Sequence, residues 1–134
     1  MGCDIHIILE HCEAGSAEWV GLWSSDRVPC GRLFAARRDY NFFAEVAQVR
    51  GSSETGVYPR NLPKDVSRLA WLQFMRAPTD HHSASHLSPA EFVAAFLRAN
   101  PTGAGIRPDF ALHDLLAIDS DDDGDHRVVF WFDN

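Results

Sequence analysis

Cys3-Asp4-Ile5-His6-Ile7-Ile8-Leu9-Glu10 stands near the start of the chain and alternates in character. The odd positions Cys3, Ile5, Ile7 and Leu9 are apolar, and Asp4, His6 and Glu10 at even positions are polar or charged. Successive side chains of a β-strand point to opposite faces, so the octet reads as a strand with one core face and one polar face. Asp4 and His6 then stand side by side, about 7 Å apart at a rise of roughly 3.3 Å per residue. An Asp-x-His pair at the start of a central strand suits a metal site or an acid/base site.

A second stretch, Arg127-Val-Val-Phe-Trp-Phe-Asp-Asn134, fixes where that strand lies. Val128, Phe130 and Phe132 share one parity, Val129 and Trp131 the other, and both are apolar. Such a strand is buried on both faces, inside a sheet covered on both sides. The expected neighbour is the first strand. Trp19–Trp23 has the aromatic and β-branched character to return from the first strand as a hairpin across Glu13-Ala14-Gly15-Ser16.

Three helices are expected around this sheet. Asp39 caps one over about 40–50, with Gly51 placed to take a left-handed conformation after it. A second spans about 64–76 and has no clean polar face, because Trp71, Phe74 and Met75 interrupt it. The third carries the best local signal. Ser88 and Glu91 form a capping box, Pro89 opens the helix, Leu87 and Phe92 can staple its entry, and Asn100-Pro101 ends it. Residues 24–38, 51–63 and 101–108 read as loops, with a brief strand or turn at Leu33–Ala36 and a short helix or strand over 110–118. The expected fold is α+β in a single domain, residues 1–134: a small, mostly antiparallel sheet, its N- and C-terminal strands adjacent, packed by about three helices.

Composition bounds the function. The chain has 134 residues, 46% of them apolar and 23% charged, ordinary for a globular domain able to bury a core. No run approaches the roughly 20 apolar residues of a membrane span, so no membrane partner is expected. There is no basic-then-apolar leader, and the odd cysteine count (Cys3, Cys12, Cys30) without Cys-x-x-Cys spacing suits reduced thiols in a cytoplasm. A net charge of −7 argues against direct binding of nucleic-acid backbone and suits a protein partner with a basic surface.

Asp4 and His6 have one good set of partners in the sequence, Asp80-His81-His82-Ser83-Ala84-Ser85-His86. Asp4, His6, Asp80 and His82 make a donor set for zinc, manganese or iron(II). Asp4, His6, His82, Ser83 and Ser85 could equally work as acid, base and nucleophile. Here the competing structural reading is that Asp80 and Ser83 cap turns while His81 and His86 face solvent. Arg50 and Arg60 could clamp a phosphate or carboxylate, and Arg50 could equally serve its own helix C-terminus. Asp119-Ser-Asp121-Asp-Asp123-Gly124-Asp125 matches the first half of a calcium loop, but Phe130 stands where a bidentate Glu is needed, so a solvated connection is expected and not calcium.

A family resemblance joins these motifs. Met-Gly-Cys-Asp-Ile-His, Arg38-Asp-Tyr40-x-Phe42, Val49-Arg50-Gly51, Arg60-x-Leu62-Pro63, Asp80-x-His82-Ser83-x-Ser85 and the closing Val-Phe-Trp-Phe-Asp-Asn form one series. Together they resemble a family of small bacterial and phage proteins that carry no assigned function. The resemblance points to Asp4, His6, Arg50, His82, Ser83, Ser85 and Asp133, and brings no mechanism. This chain has Asn61 where that family has Gly after the arginine, and His86 where it has Trp after the second serine. Two functions are therefore expected. One is a metal- or phosphate-binding, hydrolase-like site where Asp4 and His6 meet a loop over His82–Ser85 near Asp133. The other is a non-catalytic acidic module, such as a phage-borne inhibitor of a host nucleic-acid-binding defence complex of the anti-CRISPR type.

Overall fold

The computed structural model describes residues 2–25, 39–100 and 124–134. The expectations for 26–38 and 101–123, including Cys30 and the acidic loop through Asp123, lie outside the described residues. Four strands and three helices are described: β1 (Ile5–Glu13), β2 (Val20–Ser24), α1 (Tyr40–Ala47), α2 (Arg68–Phe74), β3 (His82–Leu87), α3 (Pro89–Ala99) and β4 (Gly124–Phe132). The strands form one antiparallel sheet in the order β2-β1-β4-β3. The N- and C-terminal strands are neighbours, with Ile5 opposite Phe132 and Glu13 opposite Gly124. The fold is α+β, as the sequence reading expects.

Helices cover both faces of the sheet. Ile5, Ile7, Leu9, Val128, Phe130 and Phe132 pack with Phe42, Phe43 and Val46 of α1 and Phe92 and Val93 of α3. On the other face Ile8, Val129 and Trp131 pack with Ala70, Leu69 and Phe74 of α2. Two-sided cover explains why both parities of β4 are apolar. It also explains Ile8, the apolar exception on the polar parity of β1. Glu10 shares that parity and is fully buried. Its carboxylate accepts from Arg127 Nε at 2.6 Å and from the backbone N–H of Ser67 at 2.6 Å. The Arg127 guanidinium lies 3.8 Å from the Trp19 ring centre and also pairs with Asp65 at 2.8 Å. The even face of β1 is thus polar at its start and closed beneath α2 further on.

Local chemistry sets the element ends. Ser88 and Glu91 complete the capping box of α3, each side chain taking the other's backbone N–H. The first helix stops at Ala47, earlier than expected, because Gln48 takes the left-handed conformation (φ 56°) and its amide bonds both backbone groups of Ser53. Gly51 is therefore not the residue that turns the chain; Arg50 is left-handed as well. The second helix is shorter than expected because the chain turns at Ser67, whose side chain accepts from Ala70 N–H. The largest departure is β3, which sequence reads as a loop.

Candidate functional site

Where β1 begins and β4 ends, the chain leaves an open cleft of about 330 Å³ lined by Gly2, Asp4, Ala77, Asp80, His81, Asp133 and Asn134. Antiparallel pairing brings the two termini of the sheet to this end. The N–H of Asp4 donates to Asp133 Oδ1 at 3.1 Å, and the N–H of Asp133 donates to the Asp4 carbonyl at 3.0 Å. His6, on the same parity as Asp4, reaches Asp133 Oδ2 with Nε2 at 2.7 Å. A carboxylate only accepts, so that nitrogen carries the proton. Burial pushes the Asp133 carboxyl up, but the His6 hydrogen bond, the Asp4 N–H and the charges on His6 and His81 outweigh it and hold the group below the usual carboxylate range.

Trp131 is the platform for two imidazoles. The His6 ring stacks on it at 6.0 Å, and the His81 ring lies 5.7 Å from it and 5.3 Å from His6. Nδ1 of His81 lies 2.7 Å from the Phe74 carbonyl oxygen, which can only accept. Nδ1 therefore carries a proton in either charge state, and in the neutral ring Nε2 offers its lone pair to a ligand. Three carboxylates and one such histidine line the cleft, and no lysine or arginine is among its described lining residues.

The expected site residues divide between two faces. Asp4, His6 and Asp80 belong to the cleft end, on the Trp131 side of the sheet. His82 does not join them: it stands opposite Phe132 in the ladder and its ring stacks on Phe132 at 6.2 Å, on the α1/α3 side. Adjacent residues of β4 face opposite ways, so His6 over Trp131 and His82 over Phe132 are separated by the sheet. Among the described residues no group of three or more His, Cys, Asp or Glu side chains is arranged to hold a metal ion. The set Asp4, His6, Asp80 and His82 is accordingly not assembled, whether for zinc, manganese or iron(II).

Ser85 is fully buried, and its Oγ accepts the N–H of Arg60 at 3.0 Å, a structural role. Arg60 is not an anion clamp at this cleft. Its guanidinium is bidentate to Glu91 at 3.1 and 2.8 Å and also donates to the His86 carbonyl. Arg50 lies over the Tyr40 ring at 5.7 Å, and it is not among the residues that line the cleft. His81 is the residue that sequence reasoning passes over, by reading it as solvated. The available signal was its place two residues before Ser83 and one before a strand whose alternation puts His82 on the other face.

Comparison of the chain with protein-family models, curated proteins and solved structures gives no match. Functional reading therefore rests on this geometry.

Proposed function

We propose that the cleft binds a ligand bearing a cationic group, with His81 Nε2 as its proton acceptor and the His6–Asp133 pair holding the site's charge and shape. One observation carries the reading: Asp4, Asp80, Asp133 and His81 line one cleft that has no lysine or arginine among its described lining residues. Such a lining opposes a phosphate, since anions near carboxylates meet like charge, and favours a guanidinium or ammonium. Its volume of about 330 Å³ is at the small end of ligand pockets and suits a single side chain or a small amine.

The same lining supports the protein-binding reading in a specific form. A basic side chain from a partner would enter the cleft, and the overall charge of −7 would steer a basic surface towards it. Inhibition of a nucleic-acid-binding host complex belongs to this second reading. Membership of the small bacterial and phage proteins that the motifs resemble is also part of the proposal.

The test is a ¹H–¹⁵N titration with arginine amide. Shifts concentrated at Asp4, Asp80, His81 and Asp133, and lost in Asp80→Asn, are expected. No saturable shift at these amides, or the same shifts in Asp80→Asn, would sink the reading.

A further inference from the structure

A different observation, on the opposite face of the sheet, carries a separate inference. Ser83 is a non-glycine residue with φ 54°, the left-handed region that serine rarely adopts. It lies where β3 bulges: His82 opposes Phe132 and Ser85 opposes Phe130, so Ser83 and Ala84 stand against the single residue Trp131. In an unbroken strand the side chains of residues 82 and 83 would point apart. The bulge and the left-handed turn bring them together, and Ser83 Oγ lies 3.0 Å from His82 Nδ1. The other ring nitrogen, Nε2, lies 3.1 Å from Asn134 Oδ1. An amide oxygen only accepts, so Nε2 carries the proton and Nδ1 presents its lone pair to the serine hydroxyl. The fully buried ring of Phe132 stacks beneath His82 and fixes its plane.

We propose that Ser83 is a nucleophile, with His82 as its base and Asn134 as the group that orients the base, and that it accepts an acyl group from an activated carboxylic ester. Hydroxyl, imidazole and orienting oxygen in one hydrogen-bonded line are the parts of an activated serine. Gln48, Arg50 and Asn61 share this left-handed backbone among the described residues, and of the four only Ser83 sets a hydroxyl against an imidazole nitrogen. Ser85 offers the contrast: it is fully buried and taken by the Arg60 N–H, whereas Ser83 is only half-buried. In the reaction the Oγ proton passes to Nδ1 as Oγ bonds to the ester carbonyl carbon. The bond to the leaving alcohol then breaks, and that oxygen takes the proton back from His82. Water, deprotonated by the same ring, later releases the acid and restores the serine. The inference does not depend on the cation reading of the cleft.

The experiment treats the full chain with p-nitrophenyl acetate and maps acetylation by peptide mass spectrometry. Acetyl on Ser83 is expected, formed at least about a hundredfold faster than in the urea-unfolded chain, as a positioned base provides. Ser83→Gly keeps the left-handed backbone at ease and removes the hydroxyl, so it should fold normally and lose the label. His82→Gln should slow labelling and flatten its rise with pH. A folded wild-type chain that acquires no acetyl at Ser83, or acquires it no faster than the unfolded chain, would overturn the inference. Undiminished labelling of the same peptide in Ser83→Gly would do the same.

Discussion

Which histidine of a His-His pair serves a site is decided by strand parity. His81 stands just outside β3 and shares the Trp131 platform with His6, whereas His82, one residue on, lies over Phe132 on the other face. Sequence spacing brought Asp4, His6 and Asp80 to notice, and it could not choose between His81 and His82 without knowing that 82–87 is a strand. Single residues also set the acid stability. Glu91 is held at about 2, chiefly by the Arg60 hydrogen bonds, with burial opposing and the Ser88 N–H adding to the effect. Its unfolded value is near 4.5, so its stabilisation is complete above that pH and is lost as pH falls towards 2. Both side chains are partly exposed, at 38% and 43%, and screening brings the contribution down to about 1 kcal/mol. Glu91→Gln should therefore lower unfolding free energy by about 1 kcal/mol at neutral pH, with the gap to wild type closing near pH 2 in urea titrations. Asn61, at φ 70°, occupies the left-handed region where glycine and asparagine are at home. Asn61→Gly should be close to neutral and Asn61→Ala should cost about 1 kcal/mol in the same assay.

Elements with strong local signals were legible, and those defined by their neighbours were not. The α3 capping box and the doubly apolar β4 follow from sequence because each is written in adjacent residues. By contrast, β3 is His-Ser-Ala-Ser-His-Leu, a composition of low strand propensity that becomes a strand only because β4 offers it an edge. The same holds for α2, whose docking depends on Gly21 of β2. A Cβ there would sit 2.5 Å from Leu69 Cδ2 and 2.9 Å from Leu69 Cβ, so the helix approaches closely only because position 21 has no side chain. Gly21→Ala should destabilise by about 1–3 kcal/mol in thermal or urea unfolding. Adding Leu69→Ala should recover part of that loss, a favourable coupling in a double-mutant cycle; strict additivity would contradict the close approach.

At the scale of the whole molecule, residues from the two ends of the chain are joined twice across β1 and β4. Glu10 and Arg127 lock the middle beneath α2, and His6, Asp4 and Asp133 close the cleft end. Arg127 keeps only 12% of its side chain exposed, so Glu10→Ala leaves a nearly buried cation with only the exposed Asp65 as partner, strips the Ser67 N–H of its acceptor, and should cost about 3 kcal/mol. Replacing both partners, as in Glu10→Leu with Arg127→Met, should cost less than the two single changes combined; a larger loss would show that the pair is not the coupled unit described. The cleft claim is tested most directly by calorimetric titration with arginine amide and its neutral ureido analogue, citrulline amide. The account predicts that the wild-type chain binds the cation at least about tenfold more tightly, roughly 1.4 kcal/mol, and that Asp80→Asn narrows the difference. Equal affinity for the two compounds, or a preference unchanged in Asp80→Asn, would contradict it.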